Sequence, residues 1–180
     1  MIASILFGRK GSQGIPKKNL LKILGRPVLE YPLLACQGSS YVDKMFVSTD
    51  CSDIKSFCEA YGVKIIDRPV GLCSNEALLQ DAIFHAVGHI KKACPDLEYI
   101  VVTMCNAPNI TKRALDQAIE KLLNRPDLDS VISVASYEMF APERARTVSE
   151  DSDELIPYIG EENFSDNTTC DRKSHKKTYF

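Results

Sequence analysis

Short apolar runs alternate along residues 1–136 with longer stretches whose apolar positions recur every three or four residues. The short runs predict buried strands, and the longer stretches predict amphipathic helices. The predicted strands cover residues 2–7, 44–48, 63–66, 99–104 and 130–135. The predicted helices cover residues 27–37, 52–61, 75–93 and 111–123. This alternation predicts an α/β fold: a three-layer, Rossmann-like, mostly parallel sheet with helices on both faces.

The pattern changes after Tyr137. Residues 137–180 are polar, charged and weakly periodic, with a strand at most around residues 155–159. A structureless loop of that length is uncommon in a compact domain. The sequence therefore predicts a core domain over residues 1–136, followed by an arm that meets a second protomer or by an incomplete piece of the fold.

Composition and charge narrow the functional classes. Hydrophobic residues make up 44% of the chain, charged residues 26%, and the net charge is -2. This balance gives no basic footprint for a nucleic acid polymer, and no apolar run approaches the roughly 20 residues of a membrane helix. Positive charge follows the apolar N-terminal run instead of preceding it, which predicts a cytoplasmic protein. The seven cysteines, with no C-x-x-C pair, are expected to be reduced core thiols.

A glycine-rich, cationic loop at residues 8–19 directly follows the first predicted strand. Its sequence is Gly-Arg-Lys-Gly-Ser-Gln-Gly-Ile-Pro-Lys-Lys-Asn. Glycines at three-residue intervals allow backbone amides to turn inward and approach a ligand closely. The loop also carries four positive charges, which suit a polyphosphate and can stabilise a departing pyrophosphate. The cations are Arg9, Lys10, Lys17 and Lys18.

Two familiar phosphate-binding motifs do not fit this loop. Its spacing is not G-x-G-x-x-G and no helix pattern starts at once, which argues against a dinucleotide site. It also has no Gly-Lys-Ser/Thr, which excludes a P-loop. A flexible solvated loop is the alternative interpretation. However, ligands of open parallel sheets gather at the carboxyl ends of the strands, and that position favours phosphate binding.

The motifs along residues 2–136 resemble those of the acylneuraminate and related cytidylyltransferases. The family's opening pattern, Arg-x-x-Ser-Lys-x-x-x-x-Lys-Asn, is matched here at Arg9, Ser12, Lys18 and Asn19. Enzymes of this family join CTP to sialic acid or another 3-deoxy-2-keto sugar acid and release pyrophosphate. Further matches follow in the family's order: Gly25-Arg26-Pro27-Val28, then Val47-Ser48-Thr49-Asp50, then Arg68-Pro69 with Leu72.

The resemblance assigns roles to individual residues. Arg9 and Lys18 are the expected catalytic cations, which neutralise the CTP phosphates. Where the family has a lysine after the serine this chain has Gln13, and Asn106 offers an amide two positions away from the family's glutamine. Nucleotide binding is expected of six residues: Gly8, Gly11, Ser12, Asn19, Arg68 and Asn106.

The resemblance also implies a homodimer, an acidic keto-sugar substrate and Mg²⁺. Residues 137–180 correspond to the family's dimerisation and sugar-binding arm. Arg172 matches an arginine that the family places near the carboxylate of the sugar acid, and a guanidinium suits a carboxylate geometrically. The family's magnesium-binding Asp-x-Asp pair comes later than Phe180, so the metal ligands stay unknown and the arm is expected to be truncated.

Two other functions stay open. A transferase for another base or sugar, such as a sugar-phosphate pyrophosphorylase, would offer Arg172 no carboxylate. A truncated or degenerate nucleotide-binding or assembly module without activity is the other, favoured somewhat by Gln13.

Asp50 is a candidate general base because it lies at a predicted strand exit. The sequence Ser-Thr-Asp before a helix is also typical of a helix cap or a turn. The sequence favours capping or turn formation over catalysis at this position.

Overall fold

Six strands and four helices make up the first of two units in the computed structural model, Met1–Val131. Residues 1–11, 14–74 and 76–134 are described, with the backbone of two further strands at 146–148 and 155–157. The strands of this unit are β1 (Ile2–Phe7), β2 (Lys22–Ile23), β3 (Arg26–Pro27), β4 (Lys44–Thr49), β5 (Lys64–Asp67) and β6 (Tyr99–Met104). The helices are α1 (Glu30–Gln37), α2 (Ser52–Glu59), α3 (Leu79–Ala93) and α4 (Lys112–Leu123).

Four of the strands form a parallel sheet in the order β5-β4-β1-β6. All six residues of β1 are buried, because this central strand is covered on both faces. On one face its odd-numbered residues pack against Ala82, Ala86 and Ile90 of α3. On the other face Leu6 packs against Leu33 of α1, Leu29 just before it, and Ile54 and Cys58 of α2. The predicted three-layer α/β fold is confirmed.

The order in which successive strands are added to the sheet reverses at β1. The chain runs outward from β1 to β4 and β5, then returns through α3 to place β6 on the opposite side of β1. In open α/β sheets such a switch leaves a crevice outside the carboxyl ends of the strands. The glycine-rich loop leaves β1 at this crevice.

The predicted strands at residues 2–7 and 99–104 have the same bounds in the structure. Helix α1 begins three residues later than predicted, because Pro27 pairs with Lys22 in the β2–β3 hairpin. The sequence analysis missed this hairpin. Its two-residue turn needs positive φ at both positions, and Leu24 and Gly25 supply φ of 50° and 83°. Leucine is an unusual residue at the first position of such a turn, so the residue types did not indicate the hairpin.

The predicted strand at residues 130–135 is wrong over the part that the structure describes. Residues 130–134 have no strand assignment, and Ile132 and Val134 are 78% and 57% exposed. Ala135 lies outside the described residues. An apolar run becomes a strand only where a neighbour accepts its backbone hydrogen bonds. Among the described strands of the sheet, β6 is at the edge and pairs with β1 alone.

The second unit, Ile132–Phe180, contains an antiparallel pair, β7 (Arg146–Val148) and β8 (Leu155–Pro157). Strand β8 lies within the predicted strand at residues 155–159. The six described cysteines are free, and five of them are buried, as expected for core thiols; Cys170 lies outside the described residues. None of the helices in the described part of the chain is long and apolar enough to span a bilayer.

Candidate active site

The exit of β1 leaves no room for a side chain at position 8. A Cβ built on Gly8 would lie 2.7 Å from Cys105 Sγ and 3.2 Å from Asn19 Nδ2. The backbone N–H of Gly8 donates to the Ser48 carbonyl at 3.3 Å, and that of Cys105 donates to the Phe7 carbonyl at 2.9 Å. A glycine is therefore required where the loop leaves the sheet.

The first part of the loop is held from both sides. Arg9 Nη1 donates to the Cys73 carbonyl at 3.0 Å, in the connection between β5 and α3. The backbone N–H of Lys10 donates to Asp50 Oδ1 at 2.7 Å, at the end of β4. Gly11 follows with φ of +83°, a left-handed conformation that glycine adopts without strain. These contacts fix the direction in which the loop leaves the sheet.

The loop and the start of α2 enclose a cavity of about 450 Å³, named the cationic cavity. Lys17 and Asp53 form a salt bridge in its lining, with Nζ and Oδ2 3.2 Å apart and both side chains largely exposed. The lining contains more cations than carboxylates, which favours a phosphate-bearing ligand. Its charged residues are Arg9, Lys10, Lys17, Lys18 and Asp53.

Arg68, just after β5, is a buried cation with 9% of its surface exposed. Its Nε donates to Ser48 Oγ at 3.2 Å and its Nη2 to the Ser48 carbonyl at 2.6 Å. The guanidinium carbon lies 5.5 Å from the centre of the Phe7 ring, a cation–π contact. Burial lowers the pKa of Arg68. Its charge is therefore poorly solvated, and an anion or a strong acceptor next to it would be stabilised.

A second cavity of about 190 Å³, named the apolar cavity, lies on the other side of Arg9. Phe7 and Met104 line it from the ends of β1 and β6, and Leu79 and Ala82 line it from α3. Arg68 is also in its lining. Arg9 lines both cavities, so the two form neighbouring parts of one site at the carboxyl edge of the sheet.

The structure brings most of the predicted site residues together. Asn106 is exposed in the turn after β6 and is not in the lining of either cavity, so its role stays a prediction. Ser12 and Arg172 lie outside the described residues, and their roles also stay predictions. The residues that line one cavity or both are Gly8, Arg9, Gly11, Lys18, Asn19 and Arg68.

Three contacts at the site were missed by the sequence analysis. The Cys73 carbonyl holds Arg9, Ser48 holds Arg68, and Phe7 stacks under the same guanidinium. Two of these contacts use backbone carbonyls. Because every residue carries one, the residue types do not indicate which carbonyl is used. The burial of Phe7 beside an arginine is equally invisible in the sequence.

The sequence favoured capping or turn formation at Asp50, and the first of these two alternatives, capping of α2, is wrong. The residue before α2 is Cys51, and its N-cap makes no side-chain hydrogen bond. Asp50 instead accepts the Lys10 N–H. The turn itself is stabilised by Thr49, whose Oγ1 accepts the Cys51 N–H at 3.1 Å. Asp50 thus connects two loops instead of starting a helix.

Two carboxylates contact the glycine-rich loop. Asp50 accepts the Lys10 N–H, and Asp53 is paired with Lys17. Among the described residues no group of three or more His, Cys, Asp or Glu side chains is arranged to hold a metal ion. The Mg²⁺ site stays a prediction.

Several proteins of known activity are similar to this chain. N-acylneuraminate cytidylyltransferase of Oncorhynchus mykiss is 27% identical over 139 residues, which are 77% of this chain and 31% of the relative. Pseudaminic acid cytidylyltransferase of Campylobacter jejuni is 28% identical over 120 residues, 66% of this chain and 52% of the relative. The chain thus spans 31–52% of the length of these two relatives.

Solved structures show the same fold. CMP:2-keto-3-deoxy-manno-octonic acid synthetase complexed with CTP has a TM-score of 0.54 at 20% identity, covering 75% of this chain and 51% of that one. 4-Diphosphocytidyl-2C-methyl-D-erythritol synthase has a TM-score of 0.58 at 14% identity, covering 87% and 66%. The family model described as cytidylyltransferase matches residues 3–175. The chain therefore belongs to the cytidylyltransferase family.

Proposed function

We propose that this chain binds CTP across its two cavities, and that the protein transfers the cytidylyl group to a 3-deoxy-2-keto sugar acid and releases pyrophosphate. The observation that carries the proposal is the pair of neighbouring cavities at the carboxyl edge of the sheet, joined at Arg9. Four cations line the cationic cavity, whereas Phe7, Leu79 and Met104 line the other together with Arg9 and Arg68. A nucleoside triphosphate has the same two-part chemistry.

The phosphates belong in the cationic cavity. Arg9, Lys10 and Lys18 line it without a salt bridge among the described residues, while Lys17 is paired with Asp53. Charge-assisted hydrogen bonds from such cations to phosphate oxygens are about twice as strong as neutral ones. Lys18 is partly shielded from solvent in a single 3₁₀ turn, Lys18–Leu20. We therefore expect it to contribute most among the three lysines.

The base belongs in the apolar cavity. A pyrimidine ring offers flat apolar faces to Phe7 and Met104 and polar atoms at its rim. A guanidinium has five N–H donors, and Arg68 uses two of its nitrogens on Ser48. Donors are left for the acceptors of a base, at a position where water is largely excluded.

The transfer step then needs positioning and charge stabilisation. The oxygen of the sugar acid's anomeric hydroxyl attacks the α-phosphorus and gives up its proton to solvent. The bond from that phosphorus to the oxygen bridging to the β-phosphate breaks. Pyrophosphate leaves with the bonding electrons. Arg9 lies between the two cavities, where the α-phosphate of such a ligand would be placed. Its guanidinium and the ammonium groups of the neighbouring lysines stabilise the charge that grows on the leaving group.

The acceptor class rests on the relatives and on Arg172. The two relatives act on N-acylneuraminate and pseudaminic acid by their names. Their similarity supports an acidic keto-sugar as the acceptor. Arg172 as the partner of its carboxylate, a homodimer and Mg²⁺ as the cofactor are parts of the same proposal.

The proposal is tested by calorimetric CTP titration of the chain and of Lys18→Ala. Loss of a charge-assisted contact should weaken binding by about 1.5–3 kcal/mol, or roughly 10- to 150-fold in Kd. Lys22→Ala is the matched control, because Lys22 is an exposed lysine of β2 outside the lining of either cavity. Equal CTP affinity in Lys18→Ala and the wild type would remove the loop from the mechanism.

The reaction itself is tested by pyrophosphate release with CTP and Mg²⁺ over a panel of keto-sugar acids. Titrations with UTP, GTP and ATP alongside CTP separate the cytidylyl transferase from a transferase for another base. Binding of CTP with no pyrophosphate release on any acid would support a nucleotide-binding module instead.

A further inference from the structure

Asp50 lies where three connections of the fold meet. It follows β4 and accepts the backbone N–H of Lys10 in the glycine-rich loop, with Oδ1 and N 2.7 Å apart. It also lies near the Cys73 thiol in the connection between β5 and α3. Burial raises the pKa of that thiol, and the Asp50 carboxylate raises it further. One carboxylate thus links the end of β4 to the glycine-rich loop and lies near the connection between β5 and α3.

The residues before and after Asp50 are firmly placed. Thr49 is fully buried, and its Oγ1 accepts the Cys51 N–H at 3.1 Å. The Thr49 carbonyl accepts the Arg68 N–H at 3.2 Å. Because its neighbours are fixed to the sheet, Asp50 presents its carboxylate from a rigid position, which is what accurate orientation of a loop requires.

The group that Asp50 holds is at the centre of the loop. Lys10 lies between Arg9, which lines both cavities, and Gly11, where the backbone turns with positive φ. Arg9 is bonded through its side chain and Lys10 through its backbone. Of these two contacts, only the hydrogen bond from the Lys10 N–H to Asp50 fixes the main chain directly.

A carboxylate at this place opposes a phosphate ligand electrostatically. Asp53, on the same side of the cationic cavity, offsets its charge against the Lys17 ammonium. Asp50 instead accepts from a neutral amide, so its charge adds repulsion while its hydrogen bond orders the loop. The repulsion lowers the affinity for a phosphate ligand and the ordering of the loop raises it. Substitutions that remove one effect and keep the other can therefore separate them.

We propose that Asp50 is a positioning residue for the nucleotide site: its hydrogen bond to the Lys10 amide holds residues 9–11 in the conformation that receives the phosphates. This inference rests on the proposed function. The hydrogen-bond acceptor is the required property, and the negative charge is not. A general base at this position would need the opposite, since proton transfer requires the carboxylate.

The test compares Asp50→Ala, Asp50→Asn and Asp53→Ala in the full chain, with CTP as the probe in calorimetric titrations. Asp50→Ala loses the acceptor, and its Kd for CTP should rise about 5- to 20-fold. Asp50→Asn keeps an acceptor oxygen and loses the charge, so its Kd should equal or fall below that of the wild type. Asp53→Ala, the matched loss of charge, should also bind CTP at least as tightly as the wild type.

Hydrogen exchange of the Lys10 amide in the ligand-free protein gives an independent measurement. The amide should exchange faster in Asp50→Ala and stay protected in Asp50→Asn. A merely structural residue would lower the melting temperature without changing the Kd of the folded protein. Equal Kd values for Asp50→Ala and the wild type would overturn the positioning role of Asp50. An Asp50→Asn variant that binds CTP as weakly as Asp50→Ala would do the same. Neither result would contradict the proposed function.

Failure of the proposed function looks different in the same experiment. A wild-type chain that does not bind CTP would overturn the proposed function and, with it, the positioning role. Loss of pyrophosphate release in Asp50→Asn with an unchanged Kd for CTP would assign Asp50 to proton transfer and overturn the inference, while it would support the transferase.

Discussion

The two cavities of the site present positive charge in different ways. The cationic cavity gathers several flexible side chains near solvent; the Lys17 side chain is 77% exposed and already paired with Asp53. The apolar cavity shares Arg9 with the cationic cavity and adds Arg68, which is 9% exposed and fixed by two hydrogen bonds to Ser48. Exposed charges are screened by water and salt, whereas buried ones are not. One buried cation can therefore matter more than several exposed ones.

The difference also extends to what each cavity can discriminate. Flexible lysines accept any polyphosphate, because a point charge on a long side chain adapts to its partner. A buried guanidinium with a fixed position disfavours a ligand that leaves its donors unpaired. We infer that the cationic cavity supplies affinity and the apolar cavity supplies selection of the base.

The largest expected effect is that of Arg68→Met, which keeps most of the side-chain volume and removes the donors. We expect the free energy of CTP binding to weaken by about 2–3 kcal/mol, on the order of 30- to 150-fold in Kd. Discrimination between CTP and UTP should fall as well. Calorimetric titration with both nucleotides measures the two effects, and circular dichroism checks that the variant is folded.

The salt dependence of CTP affinity distinguishes the contributions of the two cavities. The CTP affinity of the wild type should fall as salt rises, since the lysines are screened. Arg68→Met should keep that salt dependence, whereas Lys18→Ala should lose part of it. If Arg68→Met reduced the salt dependence of CTP affinity instead, the buried guanidinium would be acting as another exposed cation. The proposed difference between the two cavities would then be wrong.

Gly8→Ala has the next largest expected effect, because Gly8 lies at the end of β1 in the lining of the apolar cavity. The new Cβ would lie 2.7 Å from the buried Cys105 Sγ and 3.0 Å from its Cβ. Overpacking of this kind costs about 1–3 kcal/mol of the free energy of unfolding. Urea denaturation measures it. Gly14→Ala, with nothing within 4 Å of the added Cβ, is the matched control and should leave stability close to that of the wild type.

A double variant sharpens the same prediction. Cys105→Ala removes the closest atom, so Gly8→Ala should cost less in that background than in the wild type. Additive effects of the two substitutions would show that the contact between Gly8 and Cys105 is not what forbids a side chain here.

The sequence was informative about the fold where a pattern was both local and repeated. Strands β1 and β6 were predicted with the bounds that the structure has, because each is a continuous, mostly apolar run. The hairpin β2–β3 was missed, because two-residue strands leave no periodicity. The predicted strand at residues 130–135 failed over its described part, because a strand depends on its neighbours as well as on its own residues.

The candidate site was predictable only in its cations and glycines. Arg9, Lys18 and Gly8 were identified by residue type and by their position after β1, and the structure places them at the two cavities. The partner groups were not predictable. Asp50 was expected to cap a helix or form a turn, because a cap, a turn and a loop contact use the same short carboxylate. Only the spatial approach of Lys10 decides between them.

The smallest expected effect is a pH dependence at His85, on α3 beside the apolar cavity. Burial lowers the pKa of His85 below its ordinary value of 6.5, and the positive charges of His89 and Arg68 lower it further. In the window between this lowered pKa and 6.5 the unfolded chain binds more protons than the folded one. Stability should therefore rise with pH through that window and decline as the pH falls below about 6.5.

His85→Gln should remove this part of the pH dependence in urea unfolding between about pH 5 and pH 7.5. The same histidine reports on the comparison of the two cavities, because Arg68 acts on it through space. An electron-rich base or a phosphate placed beside Arg68 would offset that positive charge, so CTP should raise the pKa of His85 in an NMR titration. Inorganic triphosphate, which lacks the base, should fill the cationic cavity and move this pKa less. Equal shifts from the two ligands would show that the base does not enter the apolar cavity, and the division of labour between the cavities would then be wrong.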